Sequence, residues 1–315
     1  MSQPLYPSFT PTYHHDQYPA IDPTNPRLDC SDKFILITGG GRGIGKAIAF
    51  AFAKAHAKGI MLIGRTHASL AVAATELKQM SPATEVFIRT ADIMNQDEVQ
   101  QAMDATIAHF GVVPDVVVNN AGGLGCIGSL TEVDLVDFYQ AFELNVKGPL
   151  NVLQAFLRAN RTHSPDAART VINLSSGAAH VPFYPGGAAY ATSKLANTKI
   201  VEYLHHENPT WNVFNMQPGV VATDLAKQAG RSNAPDAPEL PAGFAVWLAT
   251  QPEAREVFNG KFLWANWDVN ELLERKELVE RGLLTLTLKG WAEDTSTEDM
   301  KRRAASVSRD ADRKE

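Results

Sequence analysis

Only two of the 315 residues are cysteines, Cys30 and Cys126. They form neither a metal-ligand cluster nor a disulfide framework, which fits a reducing compartment. No block of like charge occurs and the net charge is −6, so a nucleic acid finds no basic stripe. No apolar run reaches the roughly 18 residues of a membrane helix. The most apolar stretch, AIAFAFAKAHAKGIMLIG, is broken by Lys54, His56 and Lys58. The opening MSQPLYPSFTPTYHHDQYPA has no basic start followed by an apolar run, and the closing DRKE matches no common targeting tail. No internal repeat is found. These absences predict a soluble cytoplasmic protein with no metal, no membrane and no nucleic acid among its partners.

What is present is an ordinary globular composition, 44% hydrophobic and 20% charged, on a chain long enough to bury a core. Residues 1–30 are rich in proline and aromatics without periodicity. They predict an extended arm, lying on the body or across a partner subunit, or else a loose tail. From Lys33 the pattern becomes regular. FILIT (34–38), IMLIG (60–64), EVFIRT (85–90), DVVVN (115–119), TVINL (170–174), NVFNM (212–216) and FLW (262–264) read as strands. Helical spacing over 43–57, 68–80, 95–110, 133–160 and 188–207 fills the intervals. Short apolar strands alternating with helices predict one α/β domain over 31–290, a doubly wound parallel sheet with helices on both faces. The polar, proline-bearing stretch from 224 to about 245 predicts a lid loop over the substrate. Residues 291–315 predict a charged C-terminal tail.

TGGGRGIG (38–45) follows the first strand and opens the first helix. Glycines there permit a tight turn, and the helix N-terminus favours an anion such as a dinucleotide pyrophosphate. YATSK (190–194) places Tyr190 and Lys194 four residues apart, on one helical face. A phenol titrates near pH 10, and a neighbouring ammonium can lower that value. Tyr184 has Ala188 at the same offset, so it has no such partner. These segments occur in order with Asp92, NNAG (119–122), Asn145 in NVKG, Ser175–Ser176 and PGVVAT (218–223). Together they resemble the short-chain dehydrogenase/reductase family, in its single-domain branch with the TGxxxGxG turn, over residues 31–270. GKFLWANWDVNELLERKE (260–277) further resembles fungal members.

The resemblance implies a Rossmann-type fold and a nicotinamide cofactor. Gly39, Gly43 and Gly45, with Ile44 between the last two, would shape the pyrophosphate turn. Asp92, with Ile93 beside it, would meet the adenine. Asn119, Ala121 and Gly122 would steady the sheet and contact the cofactor. Pro218, Gly219, Val221 and Thr223 would hold the nicotinamide end. The second strand ends Gly64-Arg65-Thr66 with no acid, and Arg42 stands in the glycine turn. An acid there would repel a 2′-phosphate and an arginine fork would bind it, so NADP(H) is predicted over NAD(H).

The resemblance makes Tyr190 the acid–base group, with Lys194 stabilising the tyrosinate and binding the nicotinamide ribose. A serine would hold the carbonyl oxygen. Ser176 lies fourteen residues before Tyr190 and Ser175 fifteen, which favours Ser176. Asn145 would hold a water linking Lys194 to solvent. His14–His15 and His205–His206 are adjacent pairs without ligand spacing and read as surface residues. Cys126, near the expected pocket, has no activating base in sequence and is not read as a nucleophile. The segments 123–128, 180–187 and 224–245 would wall the substrate. They carry few charges, which predicts an uncharged hydrophobic ketone or alcohol. An NADPH-dependent carbonyl reductase follows, on a fungal secondary-metabolite intermediate if the fungal resemblance holds. An NADP-dependent alcohol dehydrogenase and a non-catalytic binding protein are the alternatives. The resemblance also implies a homodimer or homotetramer through the helices over 133–160 and 188–207.

Overall fold

The computed structural model describes residues 6–230 and 233–288. Among them seven strands form one sheet: β1 (Phe34–Thr38), β2 (Gly59–Gly64), β3 (Glu85–Thr90), β4 (Val116–Asn119), β5 (Thr170–Leu174), β6 (Asn212–Gln217) and β7 (Phe262–Trp264). Their order is β3-β2-β1-β4-β5-β6-β7, and every neighbouring pair is parallel. The winding direction reverses between β1 and β4. In such sheets the carboxyl ends of the strands at that reversal leave a crevice for a ligand.

The helices that position the site are α1 (Gly43–Lys54), α2 (His67–Met80), α3 (Gln96–Phe110), α4 (Leu135–Phe142), α5 (Gly148–His163), α6 (Ala188–Glu207), α7 (Asp224–Gln228) and α8 (Glu239–Thr250). Side chains alternate along a strand, so each strand feeds two cores. Ile35 and Ile37 of β1 pack with α1, α2 and α8, whereas Leu36 packs with α3, α5 and α6. Ile60 and Leu62 of β2 follow the first pair, and Met61 and Ile63 follow the second. Both faces are therefore covered, and the strands read as unbroken apolar runs.

Three segments differ from the sequence expectation. The helix expected over 133–160 is interrupted by a wide π-helical turn at Glu143–Lys147. The lid expected over 224–245 is a loop only in part. It contains the short α7, and from Glu239 the chain is the buried helix α8, with Leu240 and Phe244 fully enclosed. Pro238 and Pro241 read as breakers, but proline is tolerated in a first helical turn, where the lost N–H has no partner to lose. Residues 6–30 lie along the chain's own body. Ile21 and Leu28 enter the first core, and a β-carbon on Gly243 of α8 would collide with the Ile21 carbonyl. The C-terminal tail predicted over 291–315 lies outside the described residues.

Candidate active site

The carboxyl ends of the strands open onto a cleft of about 450 Å³. Its floor begins at β1. The Thr38 hydroxyl accepts the N–H groups of both Asn120 and Ala121 at 3.0 Å, and Asn120 Nδ2 donates to the Thr38 carbonyl at 2.7 Å. These bonds fix the β4 loop against the glycine turn across the point where the sheet reverses. Gly39 has φ +68° and Gly43 φ +53°, conformations that favour glycine. A β-carbon on Gly45 would strike both the Gly39 carbonyl and Asn120 Nδ2. The turn is thus bare backbone at the start of α1, the geometry that accepts a pyrophosphate.

Most residues expected at a cofactor line this cleft: Gly39, Arg42, Gly43, Ile44 and Gly45 from the turn; Arg65, Asp92 and Ile93 from the ends of β2 and β3; and Ala121 and Gly122 after β4. Pro218, Gly219, Val221 and Thr223 line it from the segment after β6. Asp92 Oδ1 accepts the Met94 N–H, and Thr223 caps α7. Asn119 is different. It is buried away from the cleft, where its Nδ2 donates to the Pro149 carbonyl at 3.1 Å. Its neighbour Asn120 faces the cleft instead, because successive side chains at a strand end point to opposite sides. Thr66 and Ser69 also line the cleft beside Arg65 and were missed. Hydroxyls in a turn are so common that they carry no sequence signal of their own.

Arg42 Nη1 lies 2.7 Å from Asp224 Oδ2, bridging the glycine turn to the first residue of α7. Both side chains are largely exposed, so the pair is screened and contributes little stability.

At the other end of the cleft stand Ser176, Tyr190 and Lys194. Lys194 is buried, its Nζ donates to the Leu174 carbonyl at 2.8 Å, and it sits 5.9 Å from the centre of the Tyr190 ring. Burial pushes its ammonium down to about 8. The two serines are separated by their bonds. Ser175 is buried and shares a hydrogen bond of 2.6 Å with the Thr198 hydroxyl, which ties the end of β5 to α6. Ser176 Oγ accepts the Ala178 N–H at 3.2 Å, so its own proton remains to be donated elsewhere.

Asn145 occupies the π turn and is fully buried, behind the cleft wall. Its Oδ1 accepts the Gly123 N–H at 2.9 Å, and its Nδ2 donates to the Gly123 carbonyl at 2.7 Å and to Ser193 Oγ at 3.0 Å. A β-carbon on Gly122 would lie 2.9 Å from Asn145 Oδ1 and 3.3 Å from Lys194 Nζ, so that glycine lets the two approach. A π turn places an extra residue in the helix and often marks functional sites. Here it turns the asparagine inward.

A family model described as short chain dehydrogenase matches residues 33–234. The chain belongs to the short-chain dehydrogenase family. Similar relatives are fungal. Short chain dehydrogenase pigC of Monascus ruber is 32% identical over 285 residues, covering 87% of this chain and 91% of that protein. Short chain dehydrogenase/reductase AacuD of Aspergillus aculeatus is 33% identical over 286 residues, covering 89% and 95%. Among solved structures, a short chain dehydrogenase from Salmonella enterica serovar Typhi shares 26% identity at a TM-score of 0.68, covering 79% of this chain and 99% of that one. An alcohol dehydrogenase from Thermococcus sibiricus, complexed with 5-hydroxy-NADP, shares 28% identity at a TM-score of 0.63, covering 74% and 95%. As a short-chain dehydrogenase the protein is an oxidoreductase of the CH–OH/C=O type, in a family that uses nicotinamide cofactors.

The expected substrate walls contribute unequally. Gly123 and Leu124 line the cleft, but Cys126 does not. Val181 and Tyr184 line it from the next wall, and α7 supplies the third. The chain turns away after Leu124 because Gly125 adopts φ +68° against Ala141. The histidine pairs also depart from a plain surface placement. His14 Nε2 lies 2.9 Å from Asp268 Oδ2 and His15 Nδ1 lies 2.5 Å from Asp236 Oδ1, so both pin the arm. His205 is partly buried, and that burial lowers its pKa. Among the described residues, no group of histidine, cysteine and acidic side chains could hold a metal ion, and no helix is long and apolar enough to cross a membrane.

Proposed function

We propose that this protein is an NADPH-dependent carbonyl reductase that converts an uncharged hydrophobic ketone into a secondary alcohol. The carrying observation is the buried Lys194 beside the Tyr190 ring, in one cleft with the Ser176 hydroxyl. When bound, the reduced nicotinamide supplies the hydride. Tyr190 donates a proton to the carbonyl oxygen as negative charge develops there. Lys194 in its charged form stabilises the phenolate left behind. Ser176 donates its hydroxyl proton to the same oxygen and orients it. Asn145 positions the Gly122–Gly123 backbone beside Lys194, and a water relay from Lys194 to solvent passes through this region.

The bare backbone at Gly39–Gly45 fits the pyrophosphate, and Arg42 and Arg65 with the hydroxyls of Thr66 and Ser69 fit a 2′-phosphate. A phosphate arriving at Arg42 would compete with Asp224. The ligand of the Thermococcus sibiricus structure agrees with this preference. The fungal relatives and the apolar wall support a secondary-metabolite ketone as substrate, acted on in the cytoplasm. An outward apolar face on α4, where Leu135, Val136 and Tyr139 are exposed, supports a homodimer or homotetramer.

The test is NADPH consumption against cyclic and aromatic ketones, with Tyr190→Phe and NADH run in parallel. Turnover that prefers NADPH and is lost in the variant is expected. Equal efficiency with NADH overturns the cofactor assignment. Bound cofactor without turnover of any ketone overturns the reductase reading.

A further inference from the structure

The N-terminal arm reaches the cleft. Tyr6 lines it together with Ser176 and Tyr190. Its ring meets the Trp264 ring edge-on, with centroids 5.2 Å apart and an interplanar angle of 66°. Trp264 ends β7 and is almost fully buried. Its Nε1 donates to His180 Nε2 at 3.0 Å. A β-carbon on Gly177, the residue after Ser176, would sit 3.0 Å from the same indole. Tyr6 is thus carried on a rigid base beside the serine of the site.

The arm is held at many points. Thr12 bonds Glu271 through its N–H at 2.8 Å and its hydroxyl at 2.5 Å. Tyr13 pairs with Trp267 as an antiparallel bridge, and the His14 and Asn266 backbones meet at 2.7 Å. His15 holds Asp236, whose Oδ2 accepts the Val220 N–H at 2.5 Å, so the arm also braces the segment after β6. Ordering this many residues costs conformational entropy, which those contacts offset. Anchoring of this density keeps one ring at one place in the cleft.

Apart from Lys194 of α6, the charged residues of the cleft come from the glycine turn, the ends of β2 and β3, and α7. The same cleft carries the apolar and aromatic side chains of Tyr6, Tyr184, Val181, Leu144 and Leu124. Tyr184 and Tyr190 lie 6.4 Å apart between ring centres. Aromatic rings favour stacked or edge-on partners over other apolar groups of equal area.

We propose that Tyr6 is a specificity-determining residue and that its ring, backed by Trp264, selects a planar aromatic or conjugated ketone. This inference rests on the carbonyl-reductase reading. Its test compares 2-acetonaphthone with cyclohexanone, each measured for binding to the enzyme–NADP+ complex by calorimetry and for turnover with NADPH. Wild type binds the aromatic ketone more tightly. Tyr6→Ala weakens that binding about tenfold, the scale of one aromatic contact with its buried area. It raises KM for the aromatic ketone with little change in kcat, and weakens cyclohexanone binding by less. Tyr6→Phe restores the preference, and Tyr6→Leu, which keeps bulk without a ring, does not.

Phe9→Ala removes one ring contact at Trp267, outside the cleft, while Thr12, His14 and His15 still hold the arm and Trp264 still backs Tyr6, so it leaves the preference intact. Four results overturn the proposal: equal loss for both ketones, no rescue by phenylalanine, the same shift in Phe9→Ala, or no aromatic preference in wild type. Absence of turnover with both ketones, with the binding preference intact, overturns the reductase reading and not the role of Tyr6.

Discussion

Lys194 is a cation held in a place that disfavours its charge. Burial brings its ammonium down to about 8. Below that pH it is protonated and can stabilise a phenolate at Tyr190; above it the charge is lost. The kcat/KM for ketone reduction is therefore expected to be flat below about pH 8 and to fall as pH rises beyond it. A pH profile of the free enzyme reads that group directly, and a profile rising through that range contradicts the assignment. The two serines give a second residue-scale prediction. Ser176→Ala lowers kcat by about a hundredfold, the effect of removing one donor to a developing oxyanion, with the Tm unchanged. Ser175→Ala, which breaks the tie between β5 and α6, lowers the Tm. Kinetics and thermal denaturation of the two variants separate the roles. Tyr190 and Lys194 were legible because a four-residue offset survives in sequence. The inward turn of Asn145 and the outward face of Asn120 were not, since both depend on which side of an element faces the cleft.

At the scale of elements, α8 shows where local pattern misleads. ELPAGFAVWLAT is apolar on almost every side, so it has no polar stripe to reveal a helical period. Pro238 and Pro241 at its start read as loop. In the fold Leu240 through Leu248 are buried, against α1 and the arm among others, and Phe244 is fully enclosed. Phe244→Ala is expected to cost about 3–5 kcal/mol, as large-to-small changes in a closed core do. Denaturant unfolding measures this, and a loss below about 1 kcal/mol would mean that α8 is a mobile lid after all. The strands were read almost residue for residue. A parallel strand covered on both faces is a short apolar run whose ends are set by polar turns.

For the whole molecule, α4 presents an apolar face that the other described residues leave uncovered. Leu135 is 70% exposed, Val136 69% and Tyr139 61%, on one side of a helix that packs against α6. Isolated apolar residues on a surface need no explanation, but a contiguous group does. Replacing Leu135 and Tyr139 by lysine is expected to reduce the particle in solution to a single chain, read by light scattering. A mass unchanged by the substitutions, whether of one chain or of several, rules out this face of α4 as a subunit contact.

The sequence by itself determined the alternation of strands and helices, the glycine turn and the tyrosine–lysine pair. Each is written in spacings of a few residues, and local geometry converts those spacings into shape. Only the tertiary structure decided that residues 6–30 wrap the body and bring Tyr6 to the cleft, that Asp236 joins His15 to the segment after β6, and that the Ser175 hydroxyl is taken up by Thr198. These contacts join residues as much as 259 positions apart, as Thr12 and Glu271 are. No local pattern encodes such a pairing. It follows from which surfaces remain to be covered once the sheet and its helices have packed.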